Sequence, residues 1–500
     1  MIKVLREATK ADLEDWIYNI DLEDPKLYEE LRNPNMIGIF QLSGKSAERL
    51  KNDIQPKNFN ELNATNAMAR PGPMENAPMY VAQKEGAKSS YPPMVRDILK
   101  ETYGVCLFQE DIMEIFHKVG GFSLEEANEV RNLMKKLGKA EKNESDLKKW
   151  NTIIKKFVKG SVKNGITEKS AIQIADDLKL FSGYSFCKAH SISYSYIAAI
   201  TLYLSYYLRE HFYSSLLSTE SDQSLLEKLI KIKAQGIGIL PPDINKSDVS
   251  FSALKDGSIL FGLSNIKYVS PNSAAMIISH RPFKSFFDFI IKTRSRSITS
   301  AVIKALISVG AFDQFEENRK KTLFMFNKFW KSKKSIKVEE KLHVIYSKLV
   351  LDMDRVPGLE TTIDDLTEYE KSYFGFNFFS TPFVKERIEV FLRMAKKRLI
   401  KLSFSDVNQT SAKIPIYIKS IRSFKDRNEN SMAFLTAEDM YGNQESFPIF
   451  HSYFQHIGSL LEANKLYLLN MYKSEDEKIM FGQDGWINNA FKIKRMVKKV

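Results

Sequence analysis

The segment FSGYSFCKAHSISY, residues 181–194, carries the densest set of side chains in this chain that could hold a ligand. Lys188 could meet a phosphate group as a fixed cation. His190 and Tyr194 are four residues apart, so a helix would place them on one face. The pattern predicts a site for a phosphorylated ligand with a stackable ring. The alternative is that His190 is a structural residue whose hydrogen bonds are satisfied within the fold.

Two other segments supply cations that could reach phosphate. Arg70 stands before Pro71 in ARPGPM, and the proline ring restricts the backbone from which the guanidinium projects. Arg131 and Lys135 are four residues apart in EVRNLMKKLGK and would share one flank of a helix. The alternatives are a turn arginine paired with a nearby acid and a solvated basic helix face.

Length and patterning predict several domains of different class. Five hundred residues exceed what one hydrophobic core usually supports. From about residue 3 to 236, apolar residues recur at spacings of three and four, which predicts helices. LPPDIN at 240–245 cannot continue a helix and marks a boundary. SFSALKDGSILFGLSNI, starting at 250, predicts a small hairpin that is followed by further helices.

The C-terminal part has a different periodicity. From about residue 413, short alternating runs such as IPIYIKSI and LYLLNMY are separated by polar turns, which is typical of a small antiparallel barrel. The predicted fold class is therefore multidomain and predominantly α, with a C-terminal β-barrel.

Composition excludes some functional classes. Lys and Arg number 74 against 61 Asp and Glu, so the net charge of +13 favours a polyanionic partner such as nucleic acid. The two cysteines, Cys106 and Cys187, provide neither a disulfide framework nor zinc-type spacing, and a reducing cytoplasm is expected. The first residues lack the apolar core of a signal peptide, and no apolar run is long enough to span a membrane. A membrane partner is therefore not expected.

An ordered series of motifs resembles one family, the bacterial C-family replicative DNA polymerases, that is, the DNA polymerase III α subunit. The motifs are DLEDPKLYEELRNPNMIGIFQLSG at 21–44, ARPGPM at 69–74, YPPMVRDILKETYGV at 91–105, GYSFCKAHS at 183–191, LPPDIN at 240–245 and LISVGAFD at 306–313. The similarity thins after residue 313 and recovers at YEKSYFGFNFFSTP, 369–382, and at AFLTAEDMYGNQESFPIF, 433–450.

The resemblance implies four domains in family order. These are polymerase fingers at 1–240, a helix-hairpin-helix module at 241–325, a basic connector at 326–405 and an OB-fold barrel at 406–500. It also implies that the cations and rings above bind the incoming deoxynucleoside triphosphate (dNTP). The predicted nucleotide-binding residues are Arg70, Arg131, Lys135, Lys188, His190 and Tyr194. Asn132 and Cys187 depart from the family pattern at two of these motifs.

The DNA-binding residues implied by the resemblance lie in the later modules. Helix-hairpin-helix turns use glycine so that backbone N–H groups can approach phosphates, but residues 266–271, IKYVSP, contain none. Lys267 would then have to supply much of the phosphate contact, or the hairpin is kept only for packing. In the barrel, Lys419, Arg422 and Lys425 accompany aromatic residues that either stack bases or fill the core.

The resemblance does not include the family's palm domain. In the family, carboxylates of the palm hold two Mg²⁺ ions. Asp352 and Asp354 form the nearest Asp-x-Asp pattern but lie in the expected connector. No catalytic or metal-binding residue is therefore predicted. The expectation is that a separate palm-bearing chain holds Mg²⁺ and that this chain is inactive alone, as in a phage-encoded split polymerase.

Two functional hypotheses follow. The first is a fingers and DNA-binding subunit of a split C-family DNA polymerase that binds primer-template and single-stranded template DNA. The second is a non-catalytic DNA-binding remnant that regulates or supports replication. Sliding-clamp binding is not supported, because the connector lacks the Gln-x-x-Leu-Phe type of peptide.

Overall fold

The computed structural model describes the residues 19–33, 36–70, 72–137, 144–181, 186–219, 222–293, 296–333, 344, 346–348, 356–380, 400–401, 403–407, 411–426, 428–441, 443–463, 465–474, 478–481 and 487–489. The chain divides into two compact units, Met1–Phe212 and Tyr213–Val500, which are described separately.

The regular secondary structure of the first unit's described residues is helical, apart from one isolated β-bridge. Its helices are α1 Pro25–Leu31, α2 Lys45–Ile54, α3 Phe59–Met68, α4 Ala77–Lys84, α5 Pro93–Ile98, α6 Gln109–Glu114, α7 Leu124–Leu137, α8 Glu144–Lys163, α9 Glu168–Phe181 and α10 Lys188–Tyr207. Helix α11, Arg209–Leu217, crosses into the second unit.

Helix α3 forms the centre of the part that carries the candidate site. Asn58 caps it by accepting a hydrogen bond from the backbone N–H of Glu61, and eight consecutive residues, 61–68, are buried. A helix buried all round must be covered on every face. Helix α10 packs against α3, and the apolar core between them includes Leu62, Ala198 and Leu202.

A second core in this unit depends on a close backbone approach. Helix α8 crosses the chain at Gly120, where a Cβ atom on Gly160 would collide with the carbonyl of Gly120. Phe157 fills the same junction and packs against Phe116, with ring centroids 4.8 Å apart. Glycine at position 160 therefore allows α8 to pack against the π-helical turn at 115–119.

The second unit begins with helices and a small sheet. Its helices are α12 Asp222–Ala234, α13 Pro271–Ser279, α14 Phe286–Lys292, α15 Ser300–Ser308, α16 Arg319–Lys333 and α17 Ile363–Tyr373. Strand β3, Ile259–Leu260, pairs with β1, Ile239–Leu240, in parallel and with β2, Ser252–Ala253, antiparallel. The hairpin predicted at the Asp-Gly turn is therefore confirmed, with Gly257 at φ 82°.

The C-terminal part of the second unit is an antiparallel sheet in the order β6–β5–β4–β7–β8. Its strands are β4 Ala412–Lys425, β5 Ser431–Glu438, β6 Gln444–Ile449, β7 Lys465–Lys473 and β8 Ile479–Phe481, and β9, Ile487–Asn489, pairs with β7. Helix α18, His451–Ile457, follows β6. Alternate residues of β4, including Ile414, Ile416 and Ile418, point into the barrel core.

The predicted fold class is confirmed: most described residues are helical, and the sheet at the C-terminal end is barrel-like. The four domain bounds expected from the sequence, 1–240, 241–325, 326–405 and 406–500, stay predictions. Within the described residues, every helix is too short or too polar to cross a bilayer.

Candidate functional site

The site is organised around the first residue of α10. The carboxylate of Glu110, on α6, accepts a hydrogen bond from the backbone N–H of Lys188 at 2.8 Å. Its other oxygen lies 3.6 Å from the thiol of Cys187. A negative charge at a helix N-terminus satisfies a free backbone donor and interacts favourably with the helix dipole. Glu110 therefore holds the start of α10 against α6.

A short parallel bridge joins the same two segments. Phe108 pairs with Phe186, with the N–H of Gln109 donating to the carbonyl of Phe186 at 2.9 Å and the N–H of Phe186 donating to Leu107 at 3.1 Å. Asp111 closes the loop by accepting from the N–H groups of Leu107 and Phe108. These bonds hold residues 107–111 beside the segment that leads into α10.

Lys188 is held by an acid that the sequence analysis did not identify. Its ammonium Nζ lies 2.7 Å from the carboxylate Oε2 of Glu101, and both side chains are partly exposed. Burial lowers the pKa of Lys188, but the hydrogen bond and charge of Glu101 outweigh it, so that the pKa is raised above its usual value. No sequence spacing indicates this pair, because its members are 87 residues apart.

Aromatic rings form a continuous column along one face of α10. The ring centroid of His190 lies 5.3 Å from that of Phe186 and 4.1 Å from that of Tyr194. Tyr194 in turn contacts Phe40, with centroids 5.4 Å apart. The guanidinium of Arg70 lies 4.0 Å from the centre of the Phe186 ring, a cation–π contact that ends the column. Arg70 and His190 are exposed.

The column is fixed from behind by buried hydrogen bonds between α3 and α10. The hydroxyl of Ser191 donates to Asn63 Oδ1 at 2.6 Å, and that of Ser195 donates to the same oxygen at 3.1 Å. The amide of Asn66 donates to Ser195 at 3.0 Å. Buried polar groups that satisfy one another specify the register of the two helices, so the exposed face of α10 has one orientation.

Arg131 and Lys135 lie on α7. One guanidinium nitrogen of Arg131 donates to Gln109 Oε1 at 3.2 Å, and another donates to Asn132 at 3.0 Å. Arg131 therefore contacts the residue next to Glu110. The side chain of Lys135 lies outside the described residues. The structure thus brings Arg70, His190 and Tyr194 together in the column and places Lys188 at the start of the same helix. The binding roles of all the predicted residues stay predictions.

The predicted DNA-binding residues occupy two other places. Lys267 lies in the turn before α13, where its ammonium is 5.4 Å from the ring centre of Tyr268. On β4, Lys419 pairs with Glu438 at 2.9 Å and Lys425 with Glu429 at 3.6 Å, while Arg422 is exposed opposite Phe434.

A groove beside these strands was not identified by the sequence analysis. Its volume is about 920 Å³, and it lies between β6 and the β7–β8 hairpin. Its rim includes Phe434, Phe450, Lys473 and Lys478, and both phenylalanine rings are exposed. Phe447, by contrast, is fully buried in the barrel core. Glu445 also lines the groove, so its charged lining is mixed.

The described residues contain no group of three or more His, Cys, Asp or Glu side chains that could hold a metal ion. Of the acidic pairs, Asp176 and Asp177 lie on α9, and Asp364 and Asp365 lie in the first turn of α17. Asp365 forms an ion pair with Lys320 at 3.1 Å. The pattern at Asp352 and Asp354 lies outside the described residues.

Comparisons with known proteins match two parts of the chain to known families. The family model described as the bacterial DNA polymerase III alpha subunit finger domain matches residues 1–165, and a helix-hairpin-helix motif matches residues 236–322. The DNA polymerase III subunit alpha of Aquifex aeolicus is 30% identical over 487 residues, which are 95% of this chain and 39% of that protein. The corresponding protein of Staphylococcus aureus strain MSSA476 is 31% identical over 484 residues, which are 94% of this chain and 43% of that protein.

The fold defines a modular protein in which a helical domain is followed by a helix-hairpin-helix motif and an OB-like barrel. Residues 1–165 match the finger domain of the bacterial DNA polymerase III alpha subunit, and nearly the whole chain is similar to a part of that subunit. It spans about two fifths of the length of the curated relatives it matches. The resemblance stated from its motifs is confirmed.

Proposed function

We propose that this chain provides the fingers and DNA-holding modules of a C-family DNA polymerase and binds the incoming dNTP at the N-terminus of α10. The observation that carries the proposal is the series of contacts from the Arg70 guanidinium through the rings of Phe186, His190 and Tyr194, next to the first turn of α10, which begins at Lys188. A dNTP presents a triphosphate and a flat base. Cations beside a run of aromatic rings complement both parts.

The cations have separate roles in this proposal. Arg70 is planar and already lies over an aromatic ring, so it can hold a phosphate with two hydrogen bonds while its face stays in contact with Phe186. Lys188 is a point charge on the first turn of α10 and carries Glu101 as its present partner. A triphosphate would replace Glu101 as that partner. Arg131 donates a hydrogen bond to the side chain of Gln109, the residue that precedes Glu110.

Phosphoryl transfer needs Mg²⁺, and the described residues contain no cluster of side chains that could bind it. We therefore propose that the carboxylates for Mg²⁺ belong to a palm outside this sequence. In the split-subunit form of the proposal, that palm lies on a separate chain. The barrel groove and the helix-hairpin-helix module would hold the DNA.

The test is reconstitution of primer extension. The 500-residue chain is mixed with a palm-bearing chain from the same genome, primer-template, Mg²⁺ and dNTPs. Extension is expected from the mixture and not from either component. Arg70→Ala and Lys188→Ala should each raise the KM for dNTP about tenfold or more, because each removes a charge-assisted hydrogen bond to phosphate. Lys118→Ala, which removes an exposed cation paired with Glu114 on the same unit, is the matched control.

Three results would contradict the proposal in different ways. Extension by the isolated, pure chain would refute the assignment of the carboxylates to a palm elsewhere. Unchanged KM values in both variants would refute the nucleotide site. DNA binding without any extension in the mixture would favour the second hypothesis, a non-catalytic DNA-binding protein that supports replication.

A further inference from the structure

The turn that precedes α13 in the helix-hairpin-helix module contains an unusual residue. Tyr268 has φ of 72°, in the left-handed region that bulky side chains rarely adopt. Glycine takes this conformation without steric cost. A tyrosine in this backbone conformation points to a functional site, because unfavourable backbone geometry persists mainly where a site requires it.

The backbone of this turn is already engaged within the protein. The N–H of Lys267 donates to the carbonyl of Tyr373, on α17, at 2.9 Å, and the N–H of Val269 donates to Ile266 at 3.0 Å. The N-terminus of α13 is capped by Ser270, whose hydroxyl accepts from Ser273. Two N–H groups that a glycine hairpin would direct at duplex phosphates therefore have protein partners.

The side chain of Tyr268 instead projects from the module. It is 56% exposed, although tyrosine rings usually bury most of their surface. The ring packs edge-on against Tyr373, with centroids 6.3 Å apart, and the ammonium of Lys267 lies 5.4 Å from its centre. One contact supports the ring from the protein side, and the other places a positive charge beside it. We call Tyr268, Tyr373 and Lys267 the tyrosine platform.

We propose that the tyrosine platform binds single-stranded DNA, with an unpaired base stacked on Tyr268 and the adjacent phosphate on Lys267. Base–aromatic stacking needs an exposed base face, which single-stranded DNA offers and the interior of a duplex does not. A protruding ring would also keep the turn from approaching a duplex backbone closely. The choice of DNA as ligand rests on the proposed function, and the preference for single strands goes beyond it.

The test compares two DNA ligands by fluorescence anisotropy, using the full chain without palm, Mg²⁺ or nucleotide. The ligands are labelled (dT)20 and a blunt 20-base-pair duplex. Tyr268→Ala should weaken (dT)20 binding at least about fivefold, as expected for the loss of one stacked base. Tyr268→Phe should bind within about twofold of the wild type. Duplex affinity should be unchanged in both variants.

Tyr268→Gly separates binding from folding. Glycine relieves the backbone conformation at this position, so the variant should unfold at the same temperature as the wild type or a higher one. It should nevertheless lose (dT)20 affinity as Tyr268→Ala does. Tyr207→Ala, at an exposed tyrosine on α10 in the other unit, is the matched control and should bind both ligands normally. Photocrosslinking of (dT)20 that contains 5-iodouracil should label Tyr268.

Unchanged (dT)20 affinity in Tyr268→Ala and Tyr268→Gly would overturn the proposal, as would equal losses for single-stranded and duplex DNA. Crosslinks confined to other residues would also overturn it and would leave the platform to a protein partner. These outcomes are independent of the proposed function. That function fails when reconstituted primer extension fails, and the anisotropy assay contains neither the palm nor a nucleotide.

Discussion

The Lys188 ammonium and the Glu101 carboxylate form an ion pair, 2.7 Å from Nζ to Oε2, at the start of the helix that carries His190 and Tyr194. The pair holds the lysine in place and also occupies the charge that a phosphate would use. The proposed binding of a phosphate at Lys188 would therefore compete with the ion pair to Glu101.

Glu101→Gln should tighten nucleotide binding. Removing the acid releases Lys188, and because exposed ion pairs contribute at most about 1 kcal/mol, the gain should be up to about fivefold in Kd. Titration of the purified chain with a fluorescent dNTP measures it. Glu144→Gln, which breaks the exposed ion pair with Lys148 on α8, is the control and should leave Kd unchanged. Weaker binding in Glu101→Gln would show that Glu101 positions the lysine rather than competing with the ligand.

Arg70→Lys should weaken nucleotide binding although the charge is kept. An ammonium lacks the planar fork that can stack on Phe186 and bind phosphate bidentately, so we expect Kd to rise about three- to tenfold. The same titration measures this change. Arg96→Lys, at an exposed position on α5, serves for comparison. Equal affinity in Arg70→Lys and the wild type would mean that only the charge matters.

Asp111 should make stability depend on pH. Burial raises its pKa from the ordinary aspartate value of 3.8 to about 6, although hydrogen bonds from the backbone of Phe108 and Leu107 act in the opposite direction. The folded state then binds a proton more tightly than the unfolded chain, so the contribution of this group to stability rises as pH falls through 6. Between pH 7 and pH 5 the gain is about 1 kcal/mol.

Asp111→Asn removes this titration, and urea unfolding at both pH values measures the difference between variant and wild type. The wild type should gain stability on acidification relative to the variant. Asp97→Asn, at an exposed position, should follow the wild type. A constant difference between Asp111→Asn and the wild type at the two pH values would contradict the prediction.

The barrel groove should contribute more to single-stranded DNA binding than the end of β4. Phe450→Ala removes an exposed ring and Lys478→Ala a cation from the rim, and each should weaken (dT)20 binding about three- to tenfold. Lys425→Ala should have a smaller effect, because this exposed lysine already pairs with Glu429. Fluorescence anisotropy at two salt concentrations checks the result. Loss of a phosphate contact also reduces the dependence of the (dT)20 affinity on salt concentration. A larger loss in Lys425→Ala would place the DNA along β4 instead.

Local pattern alone predicted the element types and several neighbours in the site. The helical periodicity of the first part, the Asp-Gly hairpin and the alternating strands depend on spacings of a few residues, and the structure confirms them. The His190–Tyr194 contact follows from a spacing of four on one helix. The series of motifs also identified the family, which the comparisons confirm.

Only the tertiary structure decided which side chains share the site. Glu101 and Phe40 lie far in sequence from Lys188 and Tyr194, and no periodicity relates residues on different elements. The sequence likewise did not decide whether each aromatic residue of the barrel is buried or exposed. Alternation places a ring on one face of a strand but does not say whether that face is covered. Phe447 is buried and Phe450 is exposed because the core lies on one side of the sheet and the groove opens at its edge. Sequence spacing specifies local geometry, whereas long-range packing decides burial and charge pairing.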